Sequence, residues 1–196
     1  MFKDSEYLSK KFTTLHADAH EFNNLEFDNC TFTDCDFRET TFHKCKFIEC
    51  TFERCNLSNC KFLYSKFSDS IFVESKLVGI DWTRLAWPGL TLPSPIRFYK
   101  CIINDSSFYG LSLQEMVIEE CKAHDVDFRE GDFGHANFSH TDFSNSLFIA
   151  SKLNHVDFSE ARDYNIDVNL NDIQGARFNR HEAINLLYSL GIELVD

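Results

Sequence analysis

The stretch FNNLEFDNCTFTDCDFRETTFHKCKFIECTFERCNLSNCKFLYSKFSDSIFVESKL, residues 22–77, decides the fold. A large apolar residue returns at every fifth position: Phe22, Phe27, Phe32, Phe37, Phe42, Phe47, Phe52, Leu57, Phe62, Phe67, Phe72 and Leu77. Two positions before each of them the residue is mostly small: Cys30, Cys35, Thr40, Cys45, Cys50, Cys55, Cys60, Ser65, Ser70 and Ser75. Neither the helical period near 3.6 nor the strand period of 2 sustains such a count. A solenoid does, if each coil has four sides of five residues and both the large residue and its small partner point inward. Successive coils then pair as parallel strands about 4.8 Å apart and stack like residues into ladders.

Working outward from this stretch, the count can be picked up at Phe12, falters at Ala17 and runs on to Trp82. Residues 1–11 lack the pattern and read as a loosely held start. Residues 83–97, TRLAWPGLTLPSPIR, hold all three prolines and interrupt the ladder. The count resumes at Phe98, sixteen residues after Trp82 instead of fifteen, which inserts one residue of phase. It then continues to Phe178, with Asp163 as the polar misfit in the large row, so the coil is expected to loosen over 162–165. Of 21 phenylalanines, 20 fall on the two grids as counted from Phe12 and from Phe98, and Phe2, in the unpatterned start, is left outside them. The organisation expected is N-terminal coils 1–82, a proline-containing interruption 83–97, C-terminal coils 98–178 and a tail 179–196. Eight coils make an all-β parallel β-helix about 38 Å long.

This architecture bounds the chemistry. Burying each phenylalanine contributes about 1.5–3 kcal/mol, and rings that fill the lumen leave no room for a substrate. Six of the eight cysteines lie in the small inward row, where stacked side chains point in parallel, so reduced thiols are expected. Cys45, Cys50, Cys55 and Cys60 fall on successive faces of one coil, but the lumen is full and no CxxC knuckle is present, so no metal is expected. His135, Ser139, His140 and Asp142 superficially supply a triad, yet on a solenoid they are outward positions without an oriented pocket. No P-loop, GxSxG, HExxH or GxGxxG occurs. No catalytic residue and no cofactor are expected, and the chain reads as a non-enzyme.

Charge points to a protein partner. The net charge of −12 disfavours nucleic acid and anionic membrane and favours a basic surface. Residues 1–37 carry net −5 and residues 38–100 net +4, whereas residues 101–196, with 17 acidic and 6 basic residues, carry −11. Over about five coils that is roughly one charge per 2 Å of axis, near the one per 1.7 Å of duplex DNA. The candidate partner-binding acids are Asp105, Glu119, Glu120, Asp125, Asp127, Glu130, Asp132, Asp142, Asp157, Glu160, Asp167 and Asp172. At a twenty-residue period they spread over all four sides without forming one stripe. Lys3, Lys10 and Lys11 are followed by no apolar signal core, and no run reaches membrane-spanning length, so a cytoplasmic location is expected.

A solenoid exposes its last layer unless capped. The tail RFNRHEAINLLYSLGIELVD predicts a capping helix, with Asn179 as N-cap, Glu182 three residues on and Gly191 as the stop. Ile192 and Leu194 alternate with Glu193 and read as a short strand. Ile184, Leu186, Leu187, Tyr188, Leu190, Ile192 and Leu194 exceed what one helix face buries, which predicts a homodimer through this end.

Runs such as CTFTDCDFRETTFHKCKFIECTF, from Phe12 to Phe178, resemble the pentapeptide repeat proteins, and that resemblance implies a right-handed quadrilateral β-helix. The tail DYNIDVNLNDIQGARFNRHEAINLLYSLGIEL and the segments LVGIDWTRLAWP and CIINDSSFYGLSL are similar to the topoisomerase-protecting branch, which includes Qnr, MfpA and McbG, most of all to the albicidin-resistance protein AlbG. The resemblance implies a dimer that imitates duplex DNA for DNA gyrase, a type II topoisomerase, and shields it from antibiotics that trap cleaved DNA. Qnr proteins carry projecting loops, whereas here only 83–97 interrupts the array, which points to a poison other than a fluoroquinolone. The alternative is a scaffold or binding module for another protein.

Overall fold

Five-residue sides stack into four walls. The computed structural model describes residues 2–87, 93–192 and 195 and forms a parallel β-solenoid of about eight turns. Wall one carries Tyr7, Phe27, Phe47 and Phe67 inward, on strands Glu6–Leu8, Glu26–Asp28, Lys46–Ile48 and Lys66–Ser68. Wall two is the longest sheet: Lys11–Thr13, Thr31–Thr33, Thr51–Glu53, Ser70–Val73, Ile96–Tyr99 and Val117–Glu119. Wall three, with Ala17, Phe37, Leu57 and Leu77 inward, is joined by isolated parallel bridges from His16 to Arg162. Wall four begins with Glu21–Asn23, Thr41–His43 and Lys61–Leu63 and continues through Trp82, Phe108, Phe128 and Phe148.

Register places ring over ring. In wall two, Phe12, Phe32, Phe52, Phe72 and Phe98 stack with centroids 5.0, 4.7, 4.9 and 5.2 Å apart. Rings of neighbouring walls meet edge to face, as Phe27 meets Phe32 at 76°. Offset stacks along the axis and edge contacts across it are the two favourable ring geometries, so the lumen is close-packed.

The small row does more than fill space. Cys50 Sγ donates to Phe27 O, Ser65 Oγ to Phe42 O, Thr141 Oγ1 to Ile118 O and Ser151 Oγ to Phe128 O, each reaching back 23 residues. Many of the same groups accept an amide from the coil before, as Ser65 Oγ does from Cys45 N and Ser75 Oγ from Cys55 N. The chain leaves the ladder at each corner, and these side chains satisfy the backbone groups left behind. Two residues after most inward large residues the backbone is left-handed, from Ser9 (φ 50°) to Glu160 (φ 55°), with Arg84 after Trp82 as an exception. All eight cysteines are free and buried, and burial pushes the Cys50 thiol up to about 12.

Four expectations change. Residues 1–11 are not loose: Glu6–Leu8 pairs with Glu26–Asp28, and Phe2, in phase with Tyr7 and Phe12, lies 4.9–5.5 Å from four rings and plugs the open end. The interruption lengthens one coil from twenty residues to twenty-six, since Phe72 aligns with Phe98 and Asp81 with Ser107. Six residues are added at the corner between walls four and one; a spacing of sixteen reads as one extra residue only because six and one are equal modulo five. Pro88 lies outside the described residues. Near Asp163 the coil keeps its wall by slipping phase: Asp163 turns outward, Tyr164 is buried in its place, and Phe148 pairs with Ile166 instead of Val168.

Candidate partner-binding surface

The acidic candidates fall into two geometric classes. Asp127, Asp132, Asp142, Asp157 and Asp172 each stand immediately before an inward residue, and one carboxylate oxygen accepts the amide two residues on: Arg129 at 3.1 Å, Gly134 at 3.2 Å, Ser144 at 3.1 Å, Ser159 at 2.9 Å and Gln174 at 3.2 Å. Asp167, just after Ile166, does the same for Asn169 at 2.8 Å. These are Asx turns, in which a short side chain replaces a backbone acceptor and holds the corner. The sequence signal was available: an Asp directly before the five-count residue.

Four of these turn-holding acids are also paired with bases. Asp127 meets Arg129 at 2.8 Å, Asp132 meets Lys152 at 3.2 Å and Asp157 meets Arg177 at 3.1 Å. Asp142 is the most heavily engaged. It is 8% exposed and is held by Ser144 Oγ at 2.6 Å and Arg162 at 2.8 Å, with His124 Nε2 3.1 Å away. Burial works against its charge, but the Ser144 hydroxyl, Arg162, the Ser144 amide and His124 outweigh that and hold the carboxyl well below the usual range.

The second class stands at the corners. Asp105, Glu120, Asp125, Glu130 and Glu160 all have left-handed backbones, with φ between 54° and 58°. Glu120 lies 3.7 Å from Lys100, and Glu160 accepts from Asn179 Nδ2 at 3.4 Å. Among the described residues Asp105, Asp125 and Glu130 form no ion pair. Glu119, on wall two, accepts from Asn137 Nδ2 at 3.0 Å. The corner after wall three presents Asp105, Asp125, Asn145 and Asp163 in successive coils, about 4.8 Å apart. The negative charge available to a partner is thus concentrated on edges and thinned on the flat walls.

The tail lies over the last coil. Its α-helix is Ile184–Tyr188, later than the sequence predicts. Asn179 holds a turn by accepting from His181 N, and Glu182 reaches Asp163 N and Asn185 Nδ2 instead of closing a capping box. Leu186 packs against the core and Ser189 receives Val168 N, so these residues cap the coil. Ile184, Leu187, Tyr188, Leu190 and Ile192 remain exposed; Glu193 and Leu194 of the expected short strand lie outside the described residues.

The residues resembling a triad do not converge. His135 and His140 occupy different corners, His135 stacks on His155 at 4.8 Å, and Asp142 is engaged as above. Among the described residues no helix is long and apolar enough to cross a membrane.

The arrangement defines a class: a rigid repeat solenoid with a packed lumen, whose chemistry is confined to what its outer walls, corners and end present. The model of the pentapeptide repeat region matches residues 25–94 and 94–158, and the chain belongs to the pentapeptide repeat family. Among solved structures it is similar to two trypsin-treated forms of QnrB1, a plasmid-mediated fluoroquinolone resistance protein. The first is 19% identical, with 97% of this chain and 99% of that one covered at a TM-score of 0.73; the second is 19% identical, with 94% and 100% covered at 0.66. At that identity the likeness establishes the fold. No curated protein sequence gives a significant match.

Proposed function

We propose that this chain is a cytoplasmic DNA-mimicking protein that binds DNA gyrase or a related type II topoisomerase as a homodimer and protects it from a poison, albicidin or another. The observation that carries the reading is the placement of charge: residues 101–196 hold 17 acidic against 6 basic residues, on the coils that lead into an exposed apolar tail. A twofold contact through Ile184, Leu187, Tyr188, Leu190 and Ile192 would put the most negative coils at the centre of a rod twice as long. Such a protein acts by occupying a basic DNA track, with no bond made or broken. The end-to-end fold similarity to QnrB1 supports the same reading.

Adding the purified protein to gyrase should inhibit supercoiling and lower poison-induced cleavage at micromolar concentrations. No change in either assay sinks the proposal. Leu187→Asp with Ile192→Asp should halve the sedimenting mass while leaving the β-solenoid intact; an unchanged mass removes the dimer from the model of action.

A further inference from the structure

Outward positions on a β-solenoid are solvated, and an apolar side chain there has no role in the core. Leaving aside Leu8 in the first coil and the tail after residue 180, five large hydrophobic or aromatic residues are exposed among the described residues: Tyr64, Tyr109, Leu147, Ile149 and Leu170. All five lie on wall four or at the corner that joins it to wall one. Tyr109, Leu147 and Ile149 flank the inward residues Phe108 and Phe148 of wall four; Tyr64 is the corner residue after Phe62; Leu170 O accepts Ala150 N at the same corner one coil later. Leu147 and Ile149 are each 44% exposed and flank one buried phenylalanine, so they form a pair of apolar side chains facing solvent.

A second observation falls at the same corner. A groove of about 510 Å³ runs across three coils there, lined by Gly110, Leu111, Glu130, Gly131, Asp132, Ala150 and Lys152 among others. Its cause is local. Other corners of these coils carry Asp, Glu, His or Asn throughout, whereas this one carries Gly110, whose missing Cβ would meet nothing within 4 Å, and Ala150 on either side of Glu130. Gly131 takes the small inward place, where the Phe133 ring comes within 2.3 Å of an added Cβ. Inside the groove Asp132 is satisfied by Gln114 Nε2 and Lys152 Nζ, both at 3.2 Å, and Glu130 is left without an ion pair.

We infer that wall four and its corner with wall one, from Tyr109 to Leu170, form the docking surface for a protein segment that carries a lysine or arginine beside apolar side chains. Glu130 faces the cation in the groove, Leu147 and Ile149 receive the apolar residues, and Tyr109, stacked under Arg129 at 5.6 Å, closes one end. Charge complementarity selects this occupant: an acidic peptide would meet Glu130 and Asp132, and an uncharged apolar one would cover the Glu130 carboxylate with no counter-charge, the Tyr109 hydroxyl being its neutral neighbour. The inference rests on the topoisomerase reading for the source of that segment and adds the wall that contacts it.

The test is the affinity of gyrase for three proteins: the full chain, the double variant Leu147→Lys with Ile149→Lys, and Val117→Lys, which puts a single lysine in place of an outward apolar residue on wall two. The wall-four variant should bind at least tenfold more weakly and Glu130→Gln about three- to tenfold more weakly, with Val117→Lys within about twofold of the full chain. Circular dichroism and thermal melting confirm that each variant is folded. If the full chain binds and the wall-four variant binds equally well, this surface is wrong and the topoisomerase reading stands. Lack of binding by the full chain removes both. If the wall-four variant instead sediments as a monomer where the full chain is a dimer, the occupant is a second copy and the inference is overturned.

Discussion

The coils before Phe98 and those after it share one lumen and differ in how their outer walls are held. On three of their four walls the early coils use three- or four-residue strands over a column of mostly aromatic rings, with a small row mostly of Cys and Ser; only wall three is held there by single bridges and by turns at Asp36 and Asn56. After Val117–Glu119 only two-residue strands and single bridges remain, and the corners are fixed by Asp and Asn side chains accepting from the backbone. The difference shows that acidity in the second half has two origins. Part of it replaces hydrogen bonds that the first half makes along its strands, and that part is tied down by Arg, Lys and backbone amides. The remainder, at corners such as Asp105 and Asp125, has no comparable structural role and is left open to a partner.

The largest effect expected from this contrast is in the ring column. Phe52→Ala, between stacked Phe32 and Phe72, should cost about 3–5 kcal/mol in denaturant unfolding; a loss under 1 kcal/mol would mean that the column is not what holds the early coils. Next comes the division of the acids. Asp142→Ala should cost about 2 kcal/mol, mainly through the lost Ser144 bonds because Arg162 is well exposed, while Asp125→Ala stays within about 0.5 kcal/mol. Equal costs would erase the two classes. The pH dependence carries the same signature. The Asp142 carboxyl is depressed below its unfolded value of about 3.9, so its contribution is present above that pH and is lost as pH falls through the folded value. Asp142→Ala should accordingly flatten stability against pH on the acid side. The smallest effect is at Tyr164, whose buried hydroxyl finds no partner among the described residues and whose pKa is pushed up to about 12 by burial and Glu182. Tyr164→Phe should leave stability unchanged within about 0.5 kcal/mol or raise it; a loss above 1 kcal/mol would reveal a bonded hydroxyl.

Much of this was legible in the residues. The five-count from Phe22 to Leu77 specifies the walls because only one periodicity produces it, and the same count run backward reaches Tyr7 and Phe2 in phase. The long coil was visible as an interruption but not in its length, since counting modulo five hides whole sides. At Asp163 the polar misfit was readable, whereas its replacement by Tyr164 depends on a two-residue slip that only packing decides. For the surface, charge totals located the acidic half, but an Asp that holds a turn and a Glu that stands free contribute equally to such a total. The apolar pair Leu147 and Ile149 was hidden for a related reason: beside an inward phenylalanine every fifth residue, two more hydrophobic residues do not disturb the pattern.

The bonds that reach back 23 residues run in one direction only. Each hydroxyl or thiol donates toward the amino-terminal coil, so a coil's corner carbonyls are satisfied by chain that comes after it. Each coil is therefore incomplete until the next is laid on top, because its carbonyls wait for the hydroxyls and thiols of its successor. Shortening the chain from its carboxyl end re-creates such an unfinished rim, and in the intact protein the segment after Phe178 covers the last one, with Glu182 accepting Asp163 N and Ser189 Oγ accepting Val168 N. At the other end the first coil is completed in the same way by the second, as where Cys30 Sγ donates to Tyr7 O, and a single ring, Phe2, covers the open lumen beneath it.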